Sequence, residues 1–216
     1  MISLSAAPVA EIALLGAHCD DIAIGMGATL LTLARARPGL RVRALVLSGA
    51  GTARADEELS ALCAFCPDAD LTLAVLDLPD GRAPAHWDRI KNALRTFRGR
   101  TAPDLVFAPH REDAHQDHRL LAELAPTEFR DQLILGYEIL KWETDTPRPT
   151  VFHPVTTEVA EEKARLLHKH YPSQVGRDWF DEQAFTGLTR LRGVQCRAQH
   201  AEAFVLEKAV IALGGE

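Results

Sequence analysis

The stretch Val9-Ala10-Glu11-Ile12-Ala13-Leu14-Leu15-Gly16-Ala17 runs straight into His18-Cys19-Asp20-Asp21, and Gly25-Met26-Gly27 follows four residues later. An apolar run of strand length, a knot of polar groups and then the glycines that open a helical segment make one βα unit. In open α/β sheets, ligands gather at the carboxyl ends of the strands, so the polar groups are delivered where an active site is expected. Crowding a His and two adjacent carboxylates there is costly. Each carboxylate raises the pKa of the other unless a cation sits between them.

Working outward, short β-branched or leucine-rich runs alternate with segments of helical period. The expected strands are Val9–Ala17, Arg41–Ser48, Leu71–Leu76, Asp104–Ala108 and Gln132–Tyr137. The expected helices are Gly27–Ala36, Arg54–Ala64, Ala85–Arg98, His118–Glu123, Thr157–His170 and, more loosely, Trp179–Leu191. Alternation of this kind predicts an α/β fold, a Rossmann-like and mostly parallel sheet flanked by helices. After Trp142 the pattern loosens: Asp145–His153 is proline-rich and Tyr171–Gly176 is irregular. No repeat or linker divides the 216 residues, so a single domain is expected, with the C-terminal third covering the sheet's edge.

A formal net charge of −6 gives no basic footprint for nucleic acid. The longest apolar run, Ile12–Ala17, is far shorter than the roughly 20 residues that cross a bilayer, and Met1–Ala10 lacks the charged start of an export signal. The expectation is a cytoplasmic protein with neither nucleic acid nor membrane as partner. Cys63 and Cys66 have CxxC spacing but no second pair, which favours packing over a thiolate metal site.

The second polar cluster is Pro109-His110-Arg111-Glu112-Asp113-Ala114-His115-Gln116-Asp117-His118, again directly after an expected strand. Alone, any of these His is a surface or capping residue, and Asp20 or Asp21 a helix N-cap. Two such clusters at the ends of two parallel strands can meet, and together they offer the donors zinc prefers, two His and a carboxylate with one position open. Gly25-x-Gly27 resembles the start of a dinucleotide fingerprint, but Leu30 stands where the third glycine belongs and no acidic residue ends the second strand. A phosphorylated receiver domain also pairs acids after its first strand. Asp77 would suit it, but Tyr137-Glu138 stands where its lysine is required.

Ala17-His18-Cys19-Asp20-Asp21-Ile22 and His115-Gln116-Asp117-His118 resemble the AHPDDE and HxDH signatures of the LmbE-like or PIG-L family of zinc-dependent de-N-acetylases. Gly25-Met26-Gly27-Ala28-Thr29-Leu30, Tyr171-Pro172-Ser173-Gln174 and Ala201-Glu202-Ala203-Phe204 are similar to its small bacterial members. The resemblance implies one Zn2+ held by His18, Asp21 and His118, a donor set that also accepts other divalent ions, with Asp20 as general base, His115 as general acid and Asp117 orienting His115. Its substrate would be an N-acylated amino sugar or glycoconjugate. Arg111, Asp113 and Arg82 are the candidate substrate contacts, from the loops leading to the second motif and following the third strand. Cys19 replaces the usual proline and places a thiol beside the expected metal, while Ile22 replaces the glutamate. The competing reading is a metal-binding member that lacks deacetylase activity or hydrolyses a different amide. Oligomeric state is not legible.

Overall fold

The computed structural model describes residues 9–210. Strand β1 (Glu11–Gly16) is buried throughout, and its side chains alternate: Ile12 and Leu14 enter one core, Ala13 and Leu15 the other. A strand buried on both faces belongs inside a sheet covered by helices on each side. The sheet has seven strands in the order β3-β2-β1-β4-β5-β7-β6. The strands β2 (Arg41–Val46), β3 (Asp70–Val75), β4 (Leu105–Pro109) and β5 (Leu133–Tyr137) run parallel with β1, as the Rossmann-like α/β reading requires. Helices α1 (Asp21–Ala36), α2 (Ala53–Phe65) and α5 (Thr157–His170) pack together over the face carrying Ile12 and Leu14. Helices α3 (Trp87–Arg98) and α4 (Gln116–Glu128) pack over Ala13 and Leu15.

The C-terminal third does more than cover an edge. It extends the sheet with β6 (Val151–Val155) and β7 (His200–Leu206), β7 antiparallel to both β5 and β6. Proline hid β6 in the sequence; Pro154 is tolerated because β6 is an edge strand. Between them, α6 spans Glu182–Cys196 rather than Trp179–Leu191, starting where Asp181 accepts hydrogen bonds from Gln183 N and Ala184 N.

Helix α1 begins at Asp21, six residues before the expected Gly27, and is interrupted at Met26 (φ −144°, ψ 18°). The break exposes peptide groups on both sides, and buried charges from the far end of the chain satisfy them. Glu202 on β7 accepts from Ala28 N at 3.0 Å and Thr29 N at 2.6 Å, capping the second half of the helix. Lys163 on α5 donates to Ile24 O and to Glu202, both at 2.6 Å. The glycines flanking the break serve packing: a Cβ on Gly25 would lie 2.2 Å from the Tyr137 ring, and one on Gly27 2.7 Å from that of Phe65. Tyr137 cannot yield easily, being fully buried with its hydroxyl donating to Leu15 O at 2.6 Å. Gly25→Ala is therefore expected to destabilise the fold by about 1–3 kcal/mol, the usual cost of overpacking. Urea unfolding measures it, and an unmoved midpoint would contradict this packing.

Candidate metal centre and active site

Strands β1 and β4 are hydrogen-bonded neighbours, with Ile12, Ala13 and Leu14 opposite Leu105, Val106 and Phe107. The chain leaves β1 toward β2 on one side and β4 toward β5 on the other. At such a switch point the two following loops part and leave a crevice, and both polar clusters line it. His18 Nδ1 lies 3.0 Å from His118 Nε2, His118 Nε2 lies 3.3 Å from Asp21 Oδ1, and His18 Nδ1 lies 3.6 Å from Asp21 Oδ2. Donors 2.0–2.1 Å from a tetrahedral zinc stand about 3.3 Å apart, and the two nitrogens, with Asp21 presenting Oδ1 to one and Oδ2 to the other, come close to that spacing. All three residues are buried.

The electrostatics agree with a cation site. Burial works against charge on His118, yet Asp21 and Asp113 carry it to about 9. His18 likewise is raised well above the usual imidazole value, burial opposing and Asp21 and Asp117 prevailing. Two buried imidazoles drawn toward protonation by carboxylates mark excess negative charge, which a metal ion would balance. His18, His115 and His118 also bring donor atoms within 4.8 Å of one another, as do His18, Asp80, His115 and Asp117. Asp80, whose Oδ1 is 3.0 Å from His18 Nε2, escaped the sequence reading because Pro79-Asp80-Gly81 looks like an ordinary turn. Its place just after β3, at a carboxyl end, was the available signal.

Asp20 carries the most unusual backbone here. Its φ of 123° with ψ of −28° lies where residues with a Cβ rarely go, at a cost on the order of 1–3 kcal/mol. Helix α2 holds it there. Asp20 N donates to Glu58 Oε2 at 2.9 Å, and Arg54, one turn before Glu58, approaches Asp20 Oδ2 at 3.1 Å and donates to Cys19 O. Tyr171, at the end of α5, donates to the same Glu58 oxygen at 2.7 Å. Burial pushes the Asp20 carboxyl up to about 7, with Arg54 opposing. Neither Arg54 nor Glu58 was expected in the site; they come from the first two turns of α2 and carry no motif of their own.

His115 caps α4, its Nδ1 accepting from Asp117 N at 3.3 Å, and its ring stands edge-on to His18 with centroids 4.7 Å apart. Burial lowers its pKa, and the neighbouring His118 and His18 lower it further. The Asp117 carboxylate does not hold His115 as expected. Peptide groups at the turn after β3 capture it instead, Gly81 N at 2.8 Å and Ala83 N at 3.0 Å, and it faces His18 Nε2 at 3.3 Å.

The three expected substrate contacts do not line the pocket over these residues. Arg111 turns away and pairs with Glu207 at 2.9 Å. Asp113 is fully buried, its Oδ1 3.0 Å from His118 Nδ1 and its Oδ2 3.1 Å from Lys141 Nζ, so it backs a candidate ligand and cannot reach a substrate. Arg82 lies exposed on the turn. The residues that do line the pocket include Arg54, Asp80, Lys141, Trp142, Gln174 and Trp179. The Cys19 thiol also faces away from the ligand set, donating to Ser48 O at 3.4 Å; burial raises its pKa. Gly49, at φ 122°, leaves room for it, since a Cβ there would lie 2.6 Å from the sulfur. Cys63 and Cys66 are unpaired, and Asp77 pairs with Arg89 at the surface rather than closing a phospho-acceptor site.

Fold and site together define an α/β protein with a candidate His/Asp metal site in the crevice at its switch point. The sequence profile of the PIG-L family, described as GlcNAc-PI de-N-acetylase, matches residues 13–127, which span both clusters, and the chain belongs to that family. The fold matches N,N′-diacetylchitobiose deacetylase from Pyrococcus horikoshii with a TM-score of 0.71 at 20% identity, over 92% of this chain and 84% of that one. It matches the zinc-inhibited form of teicoplanin deacetylase Orf2 at 0.65 and 15% identity, over 93% and 100%. It also matches GalB, the 4-carboxy-2-hydroxymuconate hydratase of Pseudomonas putida KT2440, at 0.72 and 16% identity, over 95% and 99%. Identities this low establish a common fold and no more. Among the described residues no helix is long and apolar enough to cross a membrane.

Burial pushes Glu58 up to about 8 from 4.5. A carboxyl whose folded pKa is raised adds its full stability below the unfolded pKa and loses it as pH rises through the folded one. Glu58→Gln removes that dependence while keeping an oxygen for Asp20 N and Tyr171. Thermal melts from pH 5 to 8 are expected to show the wild type losing ground to Glu58→Gln; parallel curves would place the carboxyl's titration elsewhere.

Proposed function

We propose that this chain is a zinc-dependent hydrolase that removes an N-acyl group, in the first instance N-acetyl, from an amino sugar or amino-sugar conjugate. One observation carries the reading: the pocket that exposes the ligand set His18, Asp21 and His118 is also lined by two acid–base groups outside that set, Asp20 and His115. A site built only to hold metal could use His115 as a further donor but has no need of Asp20.

Amide hydrolysis requires a better nucleophile than neutral water, a more electrophilic carbonyl and a proton for the departing nitrogen. Zinc, when bound, supplies charge that polarises the acyl oxygen and lowers the pKa of water toward about 7. Asp20 takes the proton of the attacking water. Its carboxylate is aimed by Arg54 and by the strained backbone that Glu58 holds. His115, rigid at the N-terminus of α4, gives a proton to the nitrogen as the C–N bond breaks. Asp113 Oδ1, 3.0 Å from Nδ1 of His118, is the charge partner on that side of the ring, the usual kind of support for a ligand histidine, and Nε2 faces Asp21. Asp117 steadies the turn that carries Asp80 rather than His115.

The fold shared with a hydratase favours one alternative, a member that uses the same site on a different substrate. Release of acetate from N-acetylated sugars, nucleotide sugars and glycosides, with and without a chelator, separates the two. Asp20→Asn is expected to keep zinc and lose about 10²- to 10⁴-fold in kcat, the usual worth of a positioned base, whereas His118→Ala loses metal and activity together. Undiminished turnover by zinc-loaded Asp20→Asn would overturn the assignment. Asp113→Asn should weaken zinc binding about 10- to 100-fold in a chelator competition.

A further inference from the structure

The pocket above the ligand set has a volume of about 330 Å3, at the small end of the roughly 300–1,000 Å3 of ligand sites. It suits one sugar ring and its acyl group, so whatever is joined to that ring lies over the rim. There the wall is aromatic. Trp142, in the segment after β5, lines the pocket with Trp179 and is 62% exposed. Single exposed apolar side chains are common, and Trp87 is another, outside this pocket. What sets Trp142 apart is that it is fixed.

Its Nε1 donates to Asp178 Oδ1 at 2.7 Å, and its ring meets Trp179 edge-on with centroids 6.0 Å apart. Trp179 meets Phe180 at 5.5 Å, and Phe180 meets the buried Phe185 at 5.1 Å, both again edge-on. A ladder of rings thus runs from the core to the pocket's mouth and ends in an indole open to water. A ring held in place before the ligand arrives binds it at little entropic cost. Trp179 Nε1, buried without an acceptor, the buried Gln174 and the lining side chains Glu143 and Arg177 add polar groups around it.

We propose that Trp142 is the platform of a second sugar subsite: the substrate is a glycoside whose neighbouring pyranose lays its C–H face on the indole while the N-acyl sugar fills the pocket. A pyranose has an apolar face and a polar edge, and a tryptophan amid hydroxyl-binding groups matches both. Charge argues against a phosphate there. Lys141 is held by Asp113 and Asp145 and Arg54 by Asp20, and the pocket lining that carries Arg177 also carries the acidic Glu143. The inference rests on the proposed deacylation for its kinetic test and on binding alone for a second one.

Zinc-loaded wild type, Trp142→Ala and Trp142→Phe are assayed for acetate release from N-acetylglucosamine and N,N′-diacetylchitobiose. The preference for the disaccharide in kcat/KM is expected to fall about two- to tenfold in Trp142→Ala, the worth of one stacked ring, with Trp142→Phe in between. An unmoved ratio in both variants, or a wild type without preference for the disaccharide, overturns the subsite. Should neither sugar be hydrolysed by fully zinc-loaded wild type, the deacylase reading fails for these sugars. Calorimetry then decides the subsite: tighter binding of the disaccharide that Trp142→Ala weakens supports it, and equal binding of the two sugars overturns it.

Discussion

The site depends on the parallel pairing of β1 with β4. That ladder brings residue 18 and residue 118, a hundred positions apart, to within hydrogen-bonding distance. Because the connections leave in opposite directions, a crevice opens between the two loops, and side chains from both, joined by Arg54 and Asp80, line it. Buried apolar side chains hold both strands from both faces. The site therefore inherits the rigidity of the most deeply buried part of the sheet.

Placing His18, Asp20, Asp21 and His118 there concentrates charge that the core cannot solvate. The surrounding helices compensate unequally. Asp21 is satisfied locally, its Oδ2 accepting from Ala17 N and His18 N while Oδ1 stays free toward His118. Asp20 depends on side chains from two other helices, Arg54 and Glu58 on α2 and Tyr171 after α5. Separate support of this kind allows one carboxylate to hold a metal while its neighbour stays available to move a proton.

Much of this was legible in the sequence because strand, loop and helix follow one another in short, regular units. His18, Asp21 and His118 stood out since ionisable groups directly after apolar strands are costly anywhere else. Arg54, Glu58 and Asp80 did not, because a charged residue within a helix or turn looks the same whether it faces solvent or folds inward. Arg111 and Asp113 were misplaced for a related reason: neighbours in sequence, they point one to the surface and one into the core. The last two strands were missed because Pro154 interrupts one and Glu202 puts a buried charge in the other.

That buried charge has a consequence for the order of events in biosynthesis. Glu202 caps α1 across 174 residues of chain, directly behind the loop that carries His18, Asp20 and Asp21. A ribosome adding about 5–20 residues per second completes the second cluster at His118 and reaches Glu202 roughly 4–17 s later. Throughout that interval both polar clusters exist while the second half of α1 lacks its cap. The cap behind the site is thus among the last contacts the chain can make, and it comes from a strand that supplies none of the candidate ligands.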